Sequence, residues 1–175
     1  QERPKPDPAV LNLGVPVLCA LLYPASKGHP AALLAYAGAL SAALADTASS
    51  EIGALSSKQP VLVTTHASVP HGANGAESVL GYAAAMVACA AIAALAWADG
   101  FWSVVHSGHH LRLFGVETAW GLFFSAVVLI AGLAGATVDS FLGATVEDRL
   151  PGCGKGAVNV ACTLTGALVA GSVGL

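Results

Sequence analysis

Residues 118–144 read TAWGLFFSAVVLIAGLAGATVDSFLGA. No Asp, Glu, Lys or Arg interrupts 118–138, and a bilayer core needs about 20 apolar residues as helix. The stretch therefore predicts a membrane-spanning helix, closed by Val138-Asp139-Ser140-Phe141-Leu142-Gly143-Ala144. A second apolar stretch, over 30–50, closes in the same manner with Ala45-Asp46-Thr47-Ala48-Ser49-Ser50-Glu51. A carboxylate at the end of a membrane helix is costly and unlikely to be there by chance. Two of them, each followed by a hydroxyl residue, look like halves of one site.

The rest of the chain fits a membrane setting. Hydrophobic residues make up 55% of its 175 positions and charged residues 10%, with a mean hydropathy of +0.72. Soluble domains carry about 25% charged residues. Ala and Gly dominate, and small residues let membrane helices approach closely where lipid removes the hydrophobic drive between them. One compact all-α bundle over 9–175 is expected, with no separate soluble domain, preceded by an extended Pro-rich arm at 1–8 (QERPKPDP). The net charge of −3 and the lack of a basic stripe give no reason to propose nucleic acid as a partner. Cys19, Cys89, Cys153 and Cys162 form no CxxC pair and read as buried, inert thiols. A chain opening on Gln1 fits removal of a targeting peptide, with an organellar membrane (plastid or mitochondrial inner) as the expected location.

Five apolar stretches, near 9–25, 30–50, 77–98, 116–143 and 156–175, predict about five transmembrane helices. The first is the weakest, because Pro16 kinks a helix unless it sits in the first turn. Pro30 fits a helix start. With five spans, the N-terminal arm, the 52–76 linker and the 144–155 linker share one side. That side holds Arg3, Lys5, Lys58, Arg149 and Lys155, against Lys27 and Arg112 opposite. The positive-inside rule places it on the cytoplasm-like face. Both acidic motifs fall there too, and they share a side even if the first stretch does not cross.

Carboxylates and hydroxyls are hard oxygen ligands, suited to Mg²⁺ carrying a nucleotide phosphate. Asp46 and Ser50 are one helical turn apart, as are Thr47 and Glu51; Ser140 and Glu147 share a face if the helix runs that far. The plainer alternative is helix-end solvation at the headgroups. After the first motif come Ser57-Lys58-Gln59-Pro60 and Val69-Pro70-His71-Gly72-Ala73-Asn74-Gly75. Gly72 and Gly75 would let backbone N–H groups approach an anion, and Lys58 would add a point charge. A reverse turn at Asn74-Gly75 explains the same residues. His106, His109 and His110 form an HxxHH group on the opposite side. It reads as an interfacial cluster with Trp97, Trp102 and Trp120 rather than a metal site.

These motifs resemble a transmembrane family that includes phytyl-phosphate kinase and transmembrane protein 19 and is distantly similar to dolichol kinase and phosphatidate cytidylyltransferase. Its pattern runs ADTWASE(L/I)G, a basic residue and Pro, ITT, VxxGTNGG, IDSLLGATLQ and NxxVN. The matches here are Ala45, Asp46, Thr47, Ser50, Glu51, Ile52 and Gly53; Lys58 with Pro60; Thr64 and Thr65; Val69, Gly72, Asn74 and Gly75; Asp139, Ser140, Leu142, Gly143, Ala144 and Thr145; and Val158-Asn159. Ala48, Ala73, Ala76 and Glu147 stand where the family has Trp, Thr, Gly and Gln. The upstream segment ending QVLANG is matched only by Val10-Leu11-Asn12-Leu13-Gly14, and family members carry further N-terminal membrane helices.

The resemblance implies transfer of a phosphoryl group from a nucleotide, CTP, to a prenyl monophosphate. It implies Mg²⁺ held by Asp46, Glu51 and Asp139. Lys58, Gly72, Asn74, Gly75, Ser140 and Asn159 would then contact the nucleotide. The altered positions favour a divergent, non-catalytic member instead, an accessory subunit among other membrane subunits of an organellar complex, with bound lipid in place of cofactor. An active CTP-dependent kinase acting on phytyl or another prenyl monophosphate is the alternative. A carrier would want ionisable residues at mid-membrane, and the three uncharged stretches offer none.

Overall fold

The computed structural model describes residues 8–27, 29–106, 116–147, 149 and 153–174, with side chains from 10 to 97 (28 excepted) and from 121 onward within those ranges. The arm before Pro8 and the side chains of His106, His109, His110, Trp102 and Trp120 lie outside the described residues. The elements in chain order are α1 (Pro8–Ala25), α2 (Pro30–Gly53), β1 (Val61–Leu62), β2 (Ala76–Glu77), α3 (Val79–His106), α4 (Val116–Thr145) and α5 (Lys155–Val173).

Local chemistry sets the boundaries. Pro30 opens α2, where its missing N–H is no loss, and the His29 ring accepts the Ala31 N–H at 3.3 Å. Ser78 caps α3, its Oγ accepting the Gly81 N–H at 3.0 Å. The predicted stretches stop near their acids, but both helices run on. In α2 the Thr47 hydroxyl donates to the Ala43 carbonyl and the Ser49 and Ser50 hydroxyls to that of Asp46, at 2.8–2.9 Å. Hydroxyls satisfied this way stay compatible with a helix. α4 ends at Thr145, and the N–H groups of Val146 and Glu147 both reach back to the Leu142 carbonyl.

Four described segments are long and apolar enough to cross a membrane: Pro30–Gly53, Val79–Trp97, Gly121–Thr145 and Lys155–Val173. The apolar part of α1, Val10–Ala25, is shorter. At 1.5 Å per residue it reaches about 24 Å, against a core of about 30 Å. Leu21, Val87, Leu95 and Leu168 turn outward and are exposed, as lipid-facing side chains should be. The architecture is an all-α polytopic membrane bundle.

α2 packs against all four other helices and is the centre of the bundle. In its first half Leu34 joins Val128, Ala131 and Ala170 in a buried apolar cluster. A Cβ on Gly38 would run into the carbonyl of Gly166 on α5, and one on Gly166 into that of Gly38. Bare Cα atoms are what let these backbones touch, the usual device of membrane helix pairs. Between α2 and α3 the chain forms a small antiparallel hairpin, Val61 opposite Glu77 and Leu62 opposite Ala76. The hairpin folds back over the end of the bundle where α2 and α4 finish and α5 begins.

Candidate functional site

A partly open cavity of about 190 Å³ lies at that end. A single water needs roughly 10–15 Å³ on such a measure, so this is no packing defect. Its wall combines Asp46, Ser49 and Ser50 of α2, Asp139 and Ser140 of α4, Lys155 of α5, and the loop Gly72–Gly75. Glu77, Glu147, His71, Ser78 and Thr137 add to the polar lining, and Tyr82, Ala85, Leu133 and Ala136 form an apolar flank between α3 and α4.

The two acidic motifs meet here. Asp139 lies within hydrogen-bonding reach of the Asp46 carboxylate, with Glu147 and Lys155 also close enough to act on it electrostatically. Asp46 is buried, and its Oδ2 accepts a bond from the Asn12 amide of α1 at 2.8 Å. Asp139 Oδ1 is buried and has no hydrogen-bond partner among the described residues. Two carboxylates held face to face require a proton or a cation between them. The Ser49, Ser50 and Ser140 hydroxyls spend their hydrogens on helix carbonyls, so their oxygen lone pairs remain as acceptors.

The loop is seated by glycine. Gly75 has φ +71°, and a Cβ there would collide with Ala144 and with the Ser140 carbonyl. Gly143 returns the contact, since a Cβ on it would lie 2.9 Å from the Gly75 amide nitrogen. The GANG segment thus rests on the last turn of α4, directly beside the second acidic motif. Gly72, at φ +82°, has nothing among the described residues within 4 Å of where a Cβ would stand.

The integral membrane family described as Integral membrane protein DUF92 matches residues 8–172. The chain belongs to this family. Among curated relatives, an uncharacterized membrane protein of Synechocystis sp. is 33% identical over 137 residues, covering 78% of this chain and 46% of its own length. An uncharacterized membrane protein of Methanocaldococcus jannaschii is 30% identical over 160 residues, 89% of this chain and 56% of its own length. Protein PGR of Arabidopsis thaliana is 34% identical over 110 residues, 58% of this chain and 33% of its own length. The chain therefore spans between a third and just over half of the curated relatives it matches. No solved structure matches it.

Of the residues expected from sequence, this member of the family brings Asp46, Asp139, Ser140, Gly72, Asn74 and Gly75 to one cavity. Glu51, Lys58 and Asn159 stand outside it. Glu51 follows Asp46 by five residues, a rotation of about 140° around a helix from that face, and is exposed on another side of α2. Lys58 lies in a turn braced by Ser56, whose hydroxyl donates to the Lys58 carbonyl, and borders an adjoining smaller pocket with Gln59 that shares Glu77 and Ser78 with the cavity. Asn159 is buried one turn deeper along α5 than Lys155. Among the described residues no three His, Cys, Asp or Glu side chains gather as a metal set.

Mg²⁺ nonetheless fits the residues present. It is typically bound through one or two carboxylates plus phosphate oxygens and waters, not an all-protein cage. Asp46 and Asp139 supply the two carboxylates, and the unpartnered Oδ1 of Asp139 is an open ligand position. Sequence reasoning missed Asn12 and Lys155 as site residues. The signal for Asn12 was a polar residue in the weakest apolar stretch. The signal for Lys155 was a lone cation at the start of a span.

Proposed function

We propose that the cavity is an Mg²⁺–phosphate site at the membrane surface, and that the protein transfers the terminal phosphoryl group of a nucleotide to a prenyl monophosphate. The observation that carries this reading is the meeting of Asp46 and Asp139, 93 positions apart, in one cavity with Lys155 and the Gly72–Gly75 loop. The resemblance to the phytyl-phosphate kinase family supplies the substrate class, with CTP as donor.

A phosphate oxygen of the acceptor attacks the γ-phosphorus; the bond from that phosphorus to the β,γ-bridging oxygen breaks, and CDP leaves with the electron pair. Such transfer is mostly positioning plus neutralisation of charge. Asp46 and Asp139 would hold the cation, whose charge offsets that of the phosphates. Lys155 opens α5 beside the pair, and Gly154, which precedes it, offers no side-chain cap. The Ala157 N–H goes to the Gly154 carbonyl at 2.9 Å, and the two N–H groups before it, those of Lys155 and Gly156, are the ones offered to a phosphate oxygen. Gly72, bare on the cavity wall, lets a phosphate approach the backbone. Tyr82, Ala85, Leu133 and Ala136 offer the acceptor's hydrocarbon end an apolar flank.

A second reading is favoured by one observation. Ala73 and Ala76, which stand where the resembled family has Thr and Gly, lie on the cavity wall itself. A non-catalytic accessory subunit of a larger organellar membrane complex fits such a change. Purified full chain in nanodiscs, given radiolabelled CTP, Mg²⁺ and phytyl or geranylgeranyl phosphate, separates the two. Labelled diphosphate product that disappears in Asp46→Asn and Asp139→Asn is expected. Absence of turnover together with co-purification in a stoichiometric complex would overturn the kinase reading.

A further inference from the structure

The structure assigns Asn12 of α1 as the positioning residue of the carboxylate pair, which makes α1 part of the site rather than a peripheral helix. This rests on the cation-binding part of the reading above.

Asn12 is only 4% exposed, on a helix whose Val10, Leu13, Val17, Leu18 and Leu21 are all exposed. A buried amide on such a helix needs a partner. Its Nδ2 donates to Asp46 Oδ2 at 2.8 Å, across 34 positions. The amide can sit only this way round, because the reverse would set a carbonyl oxygen against a carboxylate oxygen. Among the described residues its own Oδ1 is buried with no hydrogen-bond partner, so the side chain is not placed to satisfy itself. Among those residues its one pairing is the one that fixes Asp46.

Two neighbours hold the donor in place. Leu11 packs so tightly over Gly156 that a Cβ there would strike its Cδ1. That contact locks the first turn of α1 against the first turn of α5, next to Lys155. Pro16, itself fully buried, has no N–H to give to the Asn12 carbonyl four residues earlier. The first turn is thus tied to the rest of α1 by one helix bond fewer.

The chemistry of the donor matters as much as its place. An amide holds one carboxylate oxygen by a neutral bond. Arg or Lys at the same position would spend the negative charge of Asp46 on an internal ion pair. With Asn12 the charge remains for a cation, and one carboxylate oxygen of Asp46 is held in place beside Asp139. Partners of this kind, one step removed from the ion, commonly change metal affinity by about 10–100-fold when lost.

The test is Mn²⁺ binding, followed by electron paramagnetic resonance on the full chain in nanodiscs, with Asp46→Asn as control. Asn12→Leu keeps the side-chain size and suits a membrane helix but removes the donor. Its Mn²⁺ dissociation constant is expected to rise about tenfold or more, with little change in the cation-free thermal midpoint. Asn12→Gln, which retains an amide one methylene further out, should fall between wild type and Asn12→Leu. If Asn12→Leu does not fold, Asn12→Gln decides alone, weakened binding supporting the assignment. Wild-type affinity in either folded variant overturns it while leaving the cation site intact. If the wild-type protein itself binds no Mn²⁺, the assignment falls together with the reading on which it rests.

Discussion

Leu34 and Asp46, at opposite halves of α2, are equally withdrawn from the surface, 8% and 7% exposed. Around Leu34 the neighbours are Val128, Ala131 and Ala170, and the helices touch backbone to backbone at Gly38 and Gly166. Around Asp46 they are Asn12, Asp139 and the cavity. The burial is the same because α2 packs against all four other helices and its buried residues run from Leu34 to Asp46. The difference lies in what surrounds it. Space closes completely where glycines face each other, and stays open where carboxylates and a hairpin meet. One half holds the helices in register, and the other half uses that register to bring two distant acids together.

The sharpest way to break this division is at the acids. Asp46→Asn and Asp139→Asn should each lower phosphoryl transfer by about 100- to 1,000-fold, the scale of losing one preorganised electrostatic group. They should leave the bundle folded, because each replaces one of two facing like charges with a neutral isostere. Thermal unfolding in nanodiscs adds a second readout. Added Mg²⁺ should raise the wild-type midpoint, since a ligand of the native state stabilises it, and should leave that of both variants unmoved. A midpoint that responds to Mg²⁺ equally in all three proteins would remove the site from this half of α2.

The packing half should respond in the opposite manner. Gly38→Val and Gly166→Val place a side chain against a facing backbone carbonyl, which cannot turn aside as a side chain does. Overpacking of this kind costs about 1–3 kcal/mol. The unfolding midpoint should drop while the Mg²⁺ response of the folded fraction persists. The loop gives a finer comparison. Gly72→Ala meets only the strain of a positive φ, about 1–2 kcal/mol. Gly75→Ala meets that strain and a collision with Ala144 as well, so it should lose more activity and detach the hairpin, read as faster amide exchange across Val61–Leu62 and Ala76–Glu77.

How far the sequence reached follows the same division. The four long spans were legible because each carries about twenty mostly apolar residues, and lipid leaves a chain few other options; α1, interrupted by Asn12 and Pro16, was the faintest. The meeting of Asp46 with Asp139 was half legible, since counting spans puts both at one end but says nothing of which helices are neighbours. Asn12 and Lys155 entered the site through the packing of α1 and α5 against α2, which depends on where Gly38, Gly156 and Gly166 allow close approach. Glu51 and Lys58 show the reverse failure. A motif records spacing along the chain, whereas a site depends on rotation around the helix and on where a turn sends its side chains.

Those two residues give the smallest expected effect and the cleanest separation between motif and cavity. If all the motif acids and the basic residue shared one catalytic role, Glu51→Gln would match Asp46→Asn, and Lys58→Met would cripple phosphate binding. Neither lines the cavity: Glu51 is turned about 140° around the helix from Asp46, and Lys58 borders an adjoining smaller pocket that meets the cavity only at Glu77 and Ser78. Exposed substitutions away from packing and partners usually change stability by no more than about 0.5 kcal/mol, so both variants should unfold as wild type does. Their Mn²⁺ affinity should stay within about twofold, less than 0.5 kcal/mol at RT of about 0.6 kcal/mol. Lys155→Met, by contrast, should raise the KM for CTP, because its ammonium group is the one among these that borders the cavity beside Asp139. A KM effect at Lys58 with none at Lys155 would move the phosphate contact from the start of α5 to the turn after α2, and the cavity would no longer be where the nucleotide binds.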